Sequence, residues 1–126
     1  MGLCAAKIFH EEVVEEGAKL SATVVELGNS YIILLSEGEP ENLGTLSVSL
    51  PAKIGTSVSR LPLSSVLLGE RSAILARLIA ERVAALTNKI ALVSVFIKTL
   101  SEQKAGQVFI RLLEKILKEK IGGAGT

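Results

Sequence analysis

The chain has 126 residues, 14 lysines and arginines against 13 acidic residues, and a formal net charge of +1. That length fits one domain with one core, and near-neutral charge with 3% aromatic residues argues against a nucleic-acid binder, which carries a basic stripe and stacking aromatics. The single cysteine, Cys4, excludes an internal disulfide and a cysteine-built zinc site.

From the N-terminus, Met1-Gly2-Leu3-Cys4 has the look of an acylation start, but Ala6 stands where Ser or Thr is required. The first ten residues also lack the apolar core and cleavage site of a signal peptide. A lone thiol suits a reducing, cytoplasmic setting. Residues 7–14 alternate weakly and read as an edge strand, with Glu11 and Glu12 discouraging edge-to-edge aggregation. Glu15-Glu16-Gly17 is a turn. Residues 18–27 form a second strand, with Leu20, Ala22 and Val24 on one face and Thr23, Val25 and Leu27 on the other. Gly28-Asn29 makes a tight hairpin into 31–35, which is apolar throughout and suits a central strand.

Residues 36–42 hold Gly38 and Pro40 and read as a loop. Residues 44–50 alternate, Leu46, Val48 and Leu50 against Thr45, Ser47 and Ser49, as a half-buried strand does; Pro51 ends it. Residues 52–63 read as an extended connection, and Gly69 as a turn or N-cap. A helix over 70–86 places Leu75, Leu78, Ile79, Val83 and Leu86 on its apolar side and stops at Asn88, which tolerates a left-handed backbone. Residues 90–97 are apolar at nearly every position, the mark of a strand covered on both faces. Thr99 and Ser101 are candidate N-caps for a last helix over 102–121. Its apolar stripe is Ala105, Phe109, Leu112, Leu113, Ile116 and Leu117, and Glu114 and Lys118 stand at i, i+4. Residues 122–126 are expected to be a disordered tail beyond a single domain over 1–121.

No catalytic, cofactor-binding or metal-ligating set can be assembled. His10 is the only histidine and lacks the second histidine of a zinc-protease helix. Glu11–Glu12 and Glu15–Glu16 are adjacent on a strand and point to opposite faces, so neither pair converges on a substrate. Ser64 and Ser65 stand outside any Gly-x-Ser-x-Gly elbow. The terminal Gly122-Gly-Ala-Gly has no helix after it to bind phosphate. Lys115, Lys118 and Lys120 form a small basic patch that reads first as a wet helix face.

The expected fold is an α/β (α+β) sandwich: an antiparallel sheet of about five or six strands, in the order β-β-β-β-α-β-α, with both helices on one face. Nowhere do about 18 apolar residues follow one another, the length a spanning helix needs, although 48% of the chain is apolar. That surplus points to an apolar interface between subunits. The sheet face left open by the helices is the place for it, and its simplest cover is a second copy packed sheet to sheet. Along 90–97, Ile90, Leu92, Ser94 and Phe96 are assigned to the dimer face. Ala91, Val93, Val95 and Ile97 are assigned beneath the helices.

Ser65-Val-Leu-Leu-Gly69, the helix Ala76-Arg-Leu-Ile-Ala-Glu-Arg-Val83 and Thr87-Asn-Lys89 before its strand resemble the fourth of the small proteasome assembly chaperones. Gly44-Thr-Leu46 is similar to the third. Order and spacing, rather than any single motif, carry the resemblance over residues 18–120, and the mixture fits an undivided relative of the archaeal kind. The resemblance implies a non-enzymatic, cofactor-free chaperone that binds proteasome α-type subunits while the α-ring of the 20S core forms. It implies a homodimer, or a heterodimer with a related small chaperone, with neither nucleic acid nor membrane as a partner. The C-terminal Gly-Ala-Gly-Thr departs from the hydrophobic-Tyr-x tail of the wider chaperone set, so contact through the folded dimer is expected. The alternative is a dimeric scaffold of the roadblock or longin type, though roadblock-like folds begin with a helix rather than a run of strands.

Overall fold

The structure is a computed structural model that describes residues 6–51, 63–68 and 72–120. The readings placed on Cys4, on 52–62, on Gly69 and on the tail at 122–126 lie outside these residues. The order is β1 (Lys7–Glu15), β2 (Ala18–Glu26), β3 (Ser30–Glu37), β4 (Thr45–Leu50), β5 (Leu63–Leu68), α1 (Ala73–Thr87), β6 (Ile90–Phe96) and α2 (Glu102–Lys115). A π-helical turn, Ile116–Lys120, continues α2.

The first three strands form a meander. Glu16 and Gly17, both with positive φ, make the two-residue turn between β1 and β2. Six strands then assemble in the order β1-β2-β3-β6-β4-β5. Two expectations change here. The sheet is mixed rather than antiparallel throughout, because β6 returns parallel to β3 and separates it from β4. A helix between β5 and β6 permits that crossover; a hairpin does not. A fifth strand also precedes α1, where an extended connection was expected to end at residue 63.

Both helices lie on one face and share one core. α2 stacks over β2, and Phe109, Leu112, Leu113 and Ile116 bury against Leu20, Ala22 and Val24. α1 stacks over β4 and β6. It starts after Ser72 and ends at Asn88, whose left-handed backbone (φ 58°) lets its N–H reach the Ala84 carbonyl. Ser101 caps α2 by accepting the Lys104 N–H at 3.1 Å. The expected Glu114–Lys118 pair does not form, because the π-helical turn after Lys115 interrupts the i, i+4 spacing. Lys115 approaches Glu11 on β1 at 3.4 Å and Lys104 meets Glu16 of the following turn at 2.9 Å, so α2 is tied to the β1–β2 hairpin at two points.

The α1 side departs most from the sequence pattern. Its buried residues are Ala76, Ile79, Ala80, Val83 and Ala84. Leu78 and Leu86, assigned to the core stripe, are 57% and 68% exposed, and Ile74 is 72% exposed. On β4 the burial is likewise turned over: Thr45, Ser47 and Ser49 lie buried, while Leu46, Val48 and Leu50 are half-buried on the opposite face. Three alanines one helical turn apart let α1 approach the sheet closely, and only small side chains fit beneath it. Ser49 Oγ is buried there without a hydrogen-bond partner among the described residues.

Candidate functional site

Strand alternation gives the sheet a second face, and among the described residues no helix lies on it. Along β6, Ala91, Val93 and Val95 are buried in the shared core and Ile97 just beyond is buried with them, whereas Ile90, Leu92 and Phe96 alternate onto the other face and stay half-buried. The register carries an aliphatic row across five strands: Ile8, Val25, Ile32, Leu92 and Val48 are successive cross-strand neighbours. The next row is His10, Thr23, Leu34, Ser94 and Leu46, and a third is Glu12, Ser21, Ser36 and Phe96.

Charge on this face is confined to one end. His10 Nδ1 lies 2.8 Å from the Thr23 hydroxyl, and its Nε2 lies 3.0 Å from Glu12. Lys19 bridges Glu12, at 2.9 Å, and Glu39. Hydrogen bonds from Lys19 and then His10 hold the Glu12 carboxyl below its ordinary pKa, and Glu39 followed by Glu12 raises that of Lys19. These groups satisfy one another between the β1–β2 hairpin and the stretch after β3 that carries Glu39. On β3, β6 and β4 the same face carries Ile32, Leu34, Ile90, Leu92, Phe96, Leu46, Val48 and Leu50 with serines, and no charged residue.

Two stretches of chain cross at the end of the sheet where β3 and β6 finish. Because β6 lies between β3 and β4, the connection over residues 38–44 must pass across β6, and it does so on the open face. The Asn42 N–H donates to Ser36 Oγ at 3.0 Å and the Gly44 N–H to Ser94 Oγ at 2.9 Å. A Cβ on residue 44 would stand 2.1 Å from the Val95 carbonyl oxygen, so only glycine permits this crossing. Ser94 therefore lies fully buried beneath the strap. Of the four residues assigned to the dimer face, Ile90, Leu92 and Phe96 remain as its accessible apolar members.

Behind the sheet, residues 98–100 turn from β6 toward α2. Glu37, 2% exposed, receives the N–H groups of Lys98 at 2.8 Å, Thr99 at 3.0 Å and Leu100 at 3.1 Å, together with the Thr99 hydroxyl. Burial alone pushes this carboxyl upward. The Thr99 hydroxyl and the three N–H groups outweigh it and hold the pKa below the ordinary carboxylate value. Ser36 and Glu37, adjacent and pointing to opposite faces, thus each pin one crossing. From sequence both fall in the stretch 36–42 that reads as a loop, whereas β3 runs on through them to Glu37.

Among the described residues, no three His, Cys, Asp or Glu side chains gather as a metal site, and no helix is long and apolar enough to cross a membrane. No family model and no curated protein matches the chain. Its fold is similar to that of a chain in the crystal structure of a novel chaperone complex for yeast 20S proteasome assembly, with a TM-score of 0.69 and 13% identity. The similarity covers 94% of this chain and 100% of that one. At that identity it shows the fold alone.

Proposed function

We propose that this chain is a non-enzymatic chaperone of proteasome core-particle assembly, working in the cytoplasm, and that it holds α-type subunits while the α-ring forms. The observation that carries this reading is the fold correspondence along the whole of a yeast proteasome-assembly chaperone chain. The open sheet face supports a dimeric form of that chaperone, because an uncharged aliphatic surface of this kind marks a protein interface. A second copy or a related small chaperone would cover it, with Ile90, Leu92 and Phe96 in the contact.

Native mass spectrometry of the chain alone and mixed with α-type subunits from the same source tests both parts. A dimer that takes up α-type subunits is expected. A dimer that ignores every one of them overturns the proteasome reading and moves the function to a scaffold of the roadblock or longin type. Phe96→Glu places a charge on the open face and is expected to leave a folded monomer; a mutant as dimeric as the wild type overturns the face assignment.

A further inference from the structure

The strap over 38–44 is a built feature of the open face. The Gly38 N–H donates to the Lys19 carbonyl at 2.8 Å, Glu39 pairs with the Lys19 ammonium, and Asn42 Nδ2 donates to the Pro40 carbonyl at 3.2 Å. The Asn42 and Gly44 N–H groups are bound by Ser36 and Ser94, both buried. Leu43 stands between those two tethered N–H groups, and it is 59% exposed. A large aliphatic side chain is thus held in water by ties on both sides of it, on the face that lacks a helix.

The size of the uncharged surface gives Leu43 a role. Three strands about 4.8 Å apart and about six residues long at 3.3 Å each project roughly 14 Å by 20 Å. A standard interface buries roughly 800 Å² on each partner, so a cover for this face must reach past those strands. Toward β1 and β2 it meets His10, Glu12 and Lys19, whose charges would lose water without gaining new partners. At the end of β3 and β6 it meets the strap, whose Glu39 is already paired with Lys19. On the premise of the dimer above, we propose that Leu43 is the anchor that seats a second copy of this chain. It packs against the uncharged β3–β6–β4 surface of that copy, and the two-fold relation makes each copy's Leu43 do the same. An uncharged aliphatic surface is the complement an aliphatic anchor requires, so one patch serves as both halves of the contact.

Sedimentation equilibrium of the wild type, Leu43→Asp, Leu43→Ser and Leu43→Met tests the anchor, with thermal melting as a check on folding. The wild type is expected to dimerise. Leu43→Asp and Leu43→Ser are expected to raise the dimer dissociation constant about tenfold or more, with melting of the monomer unchanged because the side chain touches water in it. Leu43→Met is expected to match the wild type. A dimeric wild type with equally dimeric Asp and Ser variants overturns the anchor and leaves the dimer standing. A wild type that is monomeric at every concentration overturns the dimer, and the anchor with it.

Discussion

The two helix-covered halves of the sheet are packed by opposite rules. Under α2, Phe109, Leu112, Leu113 and Ile116 point inward and meet Leu20, Ala22 and Val24, so bulk lies inside. Under α1, alanines meet Ser47, Ser49 and Thr45, while Ile74, Leu78 and Leu86 face outward and Leu46, Val48 and Leu50 face the open side. Fully burying one such aliphatic side chain gains about 1.5–3 kcal/mol; in the monomer the α1 half leaves Ile74, Leu78 and Leu86 exposed and Leu46, Val48 and Leu50 only half-buried. In the proposed dimer a second copy would cover Leu46, Val48 and Leu50 on the open face of that half, which is the uncharged one, and leave the outer side of α1 in water.

The comparison can be broken most strongly at Phe109. Phe109→Ala should cost about 3–5 kcal/mol in urea unfolding, because the ring is fully buried in the bulky half. A loss below 1 kcal/mol would mean that this half is not the stability centre. Next comes the seam, where Glu37 on β3 fixes the stretch that leads from β6 to α2. Glu37→Gln replaces an acceptor oxygen with a donor facing N–H groups, at a cost of about 2–3 kcal/mol. The same carboxyl gives a pH signature. Its folded pKa is lowered, so its contribution is present above the unfolded carboxylate pKa and is lost as pH falls through the folded one. Acid titration of stability should therefore be shallower below pH of about 4 in Glu37→Gln than in the wild type; parallel curves would sink that linkage. The smallest effect has the opposite sign. Ser49→Ala removes a hydroxyl buried without a partner among the described residues and should stabilise by about 1 kcal/mol, raising the melting temperature by a few degrees. A lower melting temperature would show that the hydroxyl is satisfied.

The bulky half was legible in the sequence and the inverted half was not. The stripe of α2 and the alternation of β2 match the structure because large side chains there do point inward. The alternation of β6 also separated its two faces correctly, since one set is buried under the helices. For α1 the hydrophobic period selected Leu78 and Leu86, but close approach to the sheet favours alanine, and size rather than polarity decides which side faces in. β4 misled in the same way. Strand β5 is only six residues long, and its pairing with β4 spans a stretch of chain that periodicity does not link. The insertion of β6 between β3 and β4 is likewise a non-local pairing. The roles of Glu37 and of the strap follow from that insertion, so they became visible only with the topology in hand.

Hydroxyl-radical footprinting of the side chains, at concentrations above and below dimer formation, tests most directly that the open face of the inverted half is an interface. Leu46, Val48, Leu92 and Phe96 should be oxidised more slowly at high concentration, while Arg82 and Leu86 on the outer side of α1 should react equally at both. Oxidation of the four open-face residues that is independent of concentration, in a chain that is dimeric by mass, would contradict the account, because the second copy would then be covering some other surface.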